Sequence, residues 1–144
     1  PEEMDEVNPG ERIINRSLNH PMQSGFAAWF HESLGGIRPA APGFKCIELK
    51  PQGFTQLAWV KVKHDSLYGP IKSDWRSAAG KFEWQISIPP NTTALVYVPV
   101  KTGGVVTEGG KAAGDQRGIK FRSLENGRAI YEVGSGAYDF ESPL

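Results

Sequence analysis

The chain has 144 residues, of which 39% are hydrophobic and 22% are charged. This composition is typical of one folded globular domain with a hydrophobic core, and it excludes a disordered chain. Sixteen basic residues balance sixteen acidic ones, so no overall field attracts nucleic acid or an anionic membrane. No apolar run approaches the roughly 18 residues that span a bilayer, and no targeting segment is recognisable after Pro1. We expect neither nucleic acid nor a membrane as a partner.

Cys46 is the only cysteine, which excludes an internal disulfide and a cysteine-rich zinc site. We expect it to be a small buried apolar side chain. The histidines are too scattered for metal-ligand spacing, at His20, His31 and His64. No metal and no cofactor are therefore expected. One cysteine leaves the compartment open: a periplasmic or extracellular location is favoured, and the cytoplasm is not excluded. The sequence does not indicate the oligomeric state.

One helix is predicted near the start of the chain, over about residues 21–34. Pro21 fits the first helical turn, and Asn19 before it is a favoured capping residue. Apolar residues then recur at helical spacing in one broad stripe, at Met22, Phe26, Trp29, Phe30 and Leu34. Gly35 and Gly36 supply the stop. Because a single helix cannot bury such a stripe alone, we expect it to contact the following domain or a second copy, to belong to an absent helical domain, or to remain exposed.

From Phe44 onward the hydrophobic pattern changes to a period of two, which is typical of strands. The alternating runs are 58–63, 82–88, 119–122 and 137–141. Residues 94–98 are apolar on both faces, which favours a central strand covered on both sides. Asn126-Gly127 is a hairpin signal, and residues 102–118 resemble a long loop. Seven or eight short strands predict a mainly β fold, an antiparallel β-sandwich of jelly-roll-like form preceded by one α-helix.

No complete active site is visible in the residues themselves. There is no nucleophile elbow, and the glycine-rich segment lacks the pattern of a phosphate-binding loop. None of the carboxylates lies in an aromatic setting that would raise its pKa into the range of a general acid. Trp59, Trp75 and Trp84 are candidates for a sugar-stacking platform, but burial in the core or between domains is the favoured alternative.

Several stretches, in order along nearly the whole chain, carry a resemblance to a known family. They are Asn19-His20 with Gly25, Trp29 and Gly36-Ile37, then Pro42-Gly43-Phe44, YGPIKSDW at 68–75, IPPNTTA at 88–94 and VGSGAYDF at 133–140. Together they resemble the C-terminal part of bacterial α-L-rhamnosidases of glycoside hydrolase family 78. No single stretch decides the match, but the set is specific.

The resemblance implies a domain organisation. Residues 1–43 would be the C-terminal remnant of an (α/α)6 catalytic barrel with a linker, and the helix near 21–34 would be the last helix of that barrel. Residues 44–144 would be a C-terminal β-sandwich that clamps the barrel and has no sugar affinity of its own. The source protein would then be a much larger enzyme.

The resemblance also implies a function. These enzymes hydrolyse terminal α-L-rhamnosyl residues with inversion, using one carboxylic acid and one carboxylate. The acid would lie far upstream and the base just before Pro1, since Glu2 and Glu3 lack the tryptophan that accompanies the family's base. We therefore expect no catalytic residue in this chain and no hydrolase activity from the chain alone. A rhamnose-containing carbohydrate would be the partner of the parent catalytic domain.

His20 matches the family's histidine that lines the sugar subsite, where it would donate a hydrogen bond to a rhamnose hydroxyl. The alternative is a histidine satisfied locally at the start of a helix. A function from another class also stays open, namely a free-standing carbohydrate-binding β-sandwich. That alternative predicts an exposed row of aromatic side chains on one sheet face.

Overall fold

The computed structural model describes residues 25–144. Helix α1 spans Phe26–Trp29 and continues without a break into a π-helical turn at Phe30–Leu34. The end of the helical segment agrees with the predicted stop at Gly35. The first part of the predicted helix and His20 lie outside the described residues.

Nearly all the rest of the described chain is strand and turn. In chain order the strands are β1 Ile37–Pro39, β2 Cys46–Leu49, β3 Trp59–Ser66, β4 Gly69–Ala78, β5 Lys81–Ile88, β6 Thr93–Pro99, β7 Thr107–Glu108, β8 Lys111–Ala112, β9 Ile119–Glu125, β10 Arg128–Val133 and β11 Gly136–Pro143. Three of them (β1, β7 and β8) have only two or three residues, too few to show a period in the sequence. The expected loop at 102–118 therefore contains two short strands.

The strands form two sheets. The five-stranded sheet has the order β1-β2-β6-β10-β9, and the six-stranded sheet has the order β3-β4-β5-β11-β7-β8. Neighbouring strands are antiparallel, except that β2 runs parallel to β6. The predicted mainly β, antiparallel sandwich is confirmed, with the parallel pair of β2 and β6 as its one departure among the described strands. Strand β1 precedes residue 44 and pairs with β2, so one strand of the sandwich lies before the boundary expected from the resemblance.

The core lies between the two sheets and follows the predicted alternation. In β5 the inward side chains are Phe82, Trp84, Ile86 and Ile88, all at most 3% exposed. They meet inward side chains of the other sheet, including Ile47, Leu49, Ala94, Val96, Val98 and Val133. Cys46 lies in a strand as expected but is only half-buried, so the prediction that it is buried is wrong. The period of two directs Ile47 and Leu49 into the core and leaves Cys46 on the other face.

Strand β6 is central in its sheet, as predicted, but its second face is only half-covered, at Leu95 and Tyr97. The alternation expected in β9 fails at Phe121, which is 51% exposed. A shift of register beside Ile130 makes Arg122 an extra residue in β9, which disturbs the alternation. The predicted hairpin between β9 and β10 is confirmed, with positive φ at Asn126 and Gly127.

Candidate functional site

The C-terminal end of the helical segment is fixed by side chains of the six-stranded sheet. The indole Nε1 of Trp75 donates to the carbonyl of Leu34 at 2.7 Å, and the hydroxyl of Ser73 donates to the carbonyl of Gly35 at 2.6 Å. The backbone N–H of Gln52 donates to the carbonyl of Ser33 at 2.8 Å. The last carbonyls of a helix have no partner inside the helix, so these bonds satisfy groups that would otherwise be unpaired.

Ser73 links the helix to a second tryptophan, because its hydroxyl accepts from Nε1 of Trp84 at 3.0 Å. Ser73 and Trp84 are fully buried, and Trp75 is 2% exposed. We call Ser73, Trp75 and Trp84 the helix anchor. Burial, the favoured alternative for the tryptophans, is confirmed for Trp75 and Trp84. Trp59 is 64% exposed, so a platform of three tryptophans does not exist.

The helical segment leaves an aromatic face uncovered within residues 25–144. Phe26, Trp29 and Phe30 are between 47% and 65% exposed, and we call these three residues the aromatic face. The ring of Phe30 meets those of Trp29 and Phe26 edge-on, at 5.5 and 6.3 Å between centroids. A cleft of about 400 Å³ separates the segment from strand β3. Among the described residues of the predicted apolar stripe, the aromatic face is therefore exposed to solvent, and Leu34 is half-buried.

A second concave surface lies on the outer face of the six-stranded sheet. Its volume is about 720 Å³, and we call it the outer groove. Trp59 stands at one end, opposite Arg76 on β4. The pairing of strands β3, β4, β5 and β11 arranges the remaining polar side chains in two rows across the sheet, one with Arg76, Glu83 and Glu141 and the other with Lys61, Asp74, Gln85 and Asp139.

The charges of the outer groove fall into two sets. Lys81 binds Glu83 at 3.3 Å and Glu141 at 2.8 Å. Its bonds to the two carboxylates, Glu141 foremost, raise the pKa of Lys81. The side chains of the second set make no ion pair and no side-chain hydrogen bond with one another or with the rest of residues 25–144: Lys61, Asp74, Arg76, Gln85 and Asp139. They are open to a ligand.

Two of the three histidines, His31 and His64, lie in the described chain, and neither belongs to a cluster of metal-ligating side chains there. Nδ1 of His31 lies 3.1 Å from the carbonyl of Ala27, and the ring of His64 packs at 4.5 Å on Phe44. Among residues 25–144 no three His, Cys, Asp or Glu side chains are arranged to hold a metal ion. In the same range no helix is long and apolar enough to cross a membrane.

Comparison with known proteins identifies the family. Residues 36–113 match the model of the bacterial alpha-L-rhamnosidase C-terminal domain. The chain belongs to this family. An alpha-L-rhamnosidase of Formosa agariphila is 38% identical to it over 125 residues, which are 85% of this chain and 13% of that enzyme.

Solved rhamnosidases share the fold. The chain superposes on the alpha-L-rhamnosidase of Dictyoglumus thermophilum with a TM-score of 0.75 at 28% identity, covering 85% of this chain and 14% of that one. The alpha-L-rhamnosidase of Streptomyces avermitilis, solved with L-rhamnose, gives a TM-score of 0.68 at 29% identity, covering 78% of this chain and 10% of that one. This rhamnosidase domain thus spans between 10% and 14% of the length of these relatives.

The sequence did not reveal the helix anchor or the outer groove. A signal for each is nonetheless present in β4, where Ile71, Ser73 and Trp75 alternate with Lys72, Asp74 and Arg76. The small polar Ser73 on the inward face breaks the apolar pattern. A hydroxyl is needed at this position, because it accepts a hydrogen bond from Trp84 and donates one to the carbonyl of Gly35.

Proposed function

We propose that this chain is part of an inverting α-L-rhamnosidase, which hydrolyses terminal α-L-rhamnosyl residues of glycosides or polysaccharides. Family membership and the 38% identity to a rhamnosidase over 85% of the chain support this. Inversion requires a general acid and a general base roughly 6.5–9.5 Å apart on opposite sides of the scissile bond. Both carboxyl groups belong, in this proposal, to a helical catalytic domain outside the chain.

The observation that carries the role of the chain is the contrast between the two sides of its helical segment. One end is fixed by hydrogen bonds from Ser73 and Trp75 of the sandwich and from the backbone of Gln52, whereas the aromatic face is exposed. A rigid helix with uncovered aromatic rings is suited to pack against another apolar surface. We assign the residues before β1 to the catalytic domain, whose last helix the β-sandwich holds in place, while β1 itself belongs to the sandwich.

Activity distinguishes this proposal from that of a complete small enzyme. The purified 144-residue chain should not release the aryl group from an aryl α-L-rhamnoside, because both carboxyl groups of the reaction are absent. The full-length parent enzyme, assayed in parallel, should release it and give β-L-rhamnose as the first product. Turnover by the 144-residue chain, or a retained α-anomer from the parent, would overturn the proposal.

His20 is proposed to contact the sugar in the parent enzyme. Replacing it by alanine in the full-length parent should raise KM for the rhamnoside, because a hydrogen bond to a sugar hydroxyl is lost. His31→Ala is a matched control, since this exposed histidine lies on the helical segment near the backbone of Ala27. An unchanged KM for His20→Ala would assign His20 a local structural role instead.

A further inference from the structure

We propose that the outer groove binds an uncharged oligosaccharide, with Trp59 stacking on one sugar ring and Asp74, Gln85 and Asp139 binding its hydroxyl groups. The binding itself does not depend on the proposed function. The expectation that the oligosaccharide contains rhamnose rests on that function.

The size and shape of the groove fit such a ligand. Its volume of about 720 Å³ lies within the range of roughly 300–1,000 Å³ found for ligand sites. The floor is a sheet in which β3, β4, β5 and β11 pair along their lengths, so the side chains that line it are held in fixed rows. Binding therefore requires little ordering of the backbone, which reduces its entropic cost.

The polar side chains match the chemistry of vicinal hydroxyl groups, which both donate and accept hydrogen bonds. Asp74 and Asp139 flank Gln85 in one row across the sheet. Carboxylates accept, while an amide does both, so this row can bind two neighbouring hydroxyl groups at once. None of the three side chains is engaged by another described residue.

Trp59 supplies the apolar part of the site. Its ring is 64% exposed at the end of the groove. The residue that pairs with it on the neighbouring strand β4 is Arg76, and not another apolar residue. Sugar rings present an apolar face of C–H groups, and an exposed indole is a large rigid surface for such a face. The aromatic ring and the polar row thus lie side by side, as the two faces of a sugar require.

The balance of charge favours a neutral ligand over an anionic one. Lys61 and Arg76 are matched by Asp74 and Asp139, while Lys81 is shared between the carboxylates of Glu83 and Glu141. Three cations against four carboxylates leave a slightly negative surface. An acidic saccharide or a phosphate would meet net repulsion here, whereas a neutral sugar chain would not.

The test is a titration of the 144-residue chain with rutinose, a neutral disaccharide that ends in α-L-rhamnose, and with an uncharged cello-oligosaccharide. Tryptophan fluorescence and amide chemical shifts in strands β3, β4, β5 and β11 should change on saturation. Trp59→Ala and Asp74→Ala should each weaken binding by about tenfold. Matched controls are Phe121→Ala, a ring on the other sheet that is 51% exposed, and Lys63→Ala, on the same face of β3 beyond the groove.

The titration uses about 1 mM protein and up to 50-fold more sugar, so it detects binding of millimolar affinity. If neither the fluorescence nor the amide chemical shifts change over that range, the proposal is overturned. Undiminished binding by both Trp59→Ala and Asp74→Ala, or tighter binding of an oligogalacturonate, would also overturn it. Binding of the cello-oligosaccharide but not of rutinose would keep the site and remove the link to rhamnose. Loss of the site leaves the proposed function intact, because that is tested by hydrolysis in the parent enzyme.

Discussion

Trp75 and Leu34 are 41 residues apart in the chain, yet the indole N–H of one donates to the backbone carbonyl of the other at 2.7 Å. This bond ties the end of a helix to the centre of a β-sandwich. A buried indole needs a partner for its N–H, and the end of a helix needs donors for its carbonyls. Each requirement is met by the other.

Trp75→Phe should therefore destabilise the chain by about 1–3 kcal/mol, since it removes the donor and leaves the carbonyl of Leu34 unpaired. Denaturant unfolding of the purified chain measures the change. Trp59→Phe is the matched control and should change the free energy of unfolding by less than about 0.5 kcal/mol, because Trp59 is exposed. Equal effects of the two substitutions would show that the hydrogen bond contributes nothing.

Gly36 lies between the end of the helical segment and the start of β1, and we expect that this position does not tolerate a side chain. Its φ is +71°, and a Cβ there would overlap the backbone of Lys50 and Pro51. Gly36→Ala should destabilise the fold by about 3 kcal/mol or more, because neither backbone neighbour can give way. Gly114→Ala is the control, since no atom lies within 4 Å of a Cβ at that position. A Tm of Gly36→Ala equal to that of Gly114→Ala would contradict the close approach.

Tyr131 should make the chain sensitive to alkaline pH. Burial raises the pKa of its phenol, which lies between the rings of Phe121 and Phe140. The unfolded chain then loses this proton first, near pH 10. Its contribution to stability is complete below that pH and decreases as the pH rises towards the folded pKa.

Tyr131→Phe should reduce the loss of stability above pH 10 and change little at pH 7, since the hydroxyl has no hydrogen bond with any other residue of 25–144. Burial also raises the pKa values of Tyr97 and Tyr138, so these two tyrosines should account for the decrease of stability with pH that remains in the variant. Tyr138→Phe provides the contrast, because its hydroxyl donates to the carbonyl of Gly134 at 3.1 Å and its loss should already show at pH 7. Urea unfolding from pH 7 to pH 11 measures both; identical slopes for wild type and Tyr131→Phe would refute the assignment.

The aromatic face should matter in the parent enzyme and not in the isolated chain. Replacing Trp29 and Phe30 together by serine removes two exposed rings that would be buried against the catalytic domain. The free energy of unfolding of the parent should fall by about 2 kcal/mol or more. The rate at which the parent loses rhamnoside hydrolysis on heating measures this change. The isolated 144-residue chain should keep its Tm within a few degrees.

The matched control for this pair is the double substitution of Phe121 and Leu124 by serine. These side chains of β9 are similarly exposed, at 51% and 60%, but lie on the other sheet. If both double variants inactivate the parent at the same rate, the aromatic face is not a contact of the catalytic domain.

Much of the fold follows from the sequence because a period of two and turn residues are local signals. The alternation in 82–88 correctly predicts which side of β5 faces the core, and with it the burial of Trp84. Asn126-Gly127 likewise identifies its hairpin. The shift of register beside Ile130, and the exposure of Phe121 that follows from it, depend on how two strands pair. No single run of residues contains that information.

The site is less predictable for the same reason. Lys61, Asp74, Gln85 and Asp139 lie on four different strands and become one row only through the register of the sheet. Ser73 is similar, because its two hydrogen bonds reach 38 residues back and 11 residues forward in the chain. The helix shows its apolar stripe in the sequence, but nothing in the stripe states which surface covers it. His20 lies outside the described residues and stays a prediction.

The position of β11 has a consequence for biosynthesis. This strand lies inside the six-stranded sheet, between β5 and β7, and pairs with β5 over its full length. A ribosome that has made only residues up to β10 has exposed β5 as an open apolar edge, with no partner to cover it. The pairing of β5 with β11 can be completed only once residue 143 has emerged, and pairings of such long sequence separation form slowly. Nascent chains stalled before β11 should be the aggregation-prone species that chaperones bind.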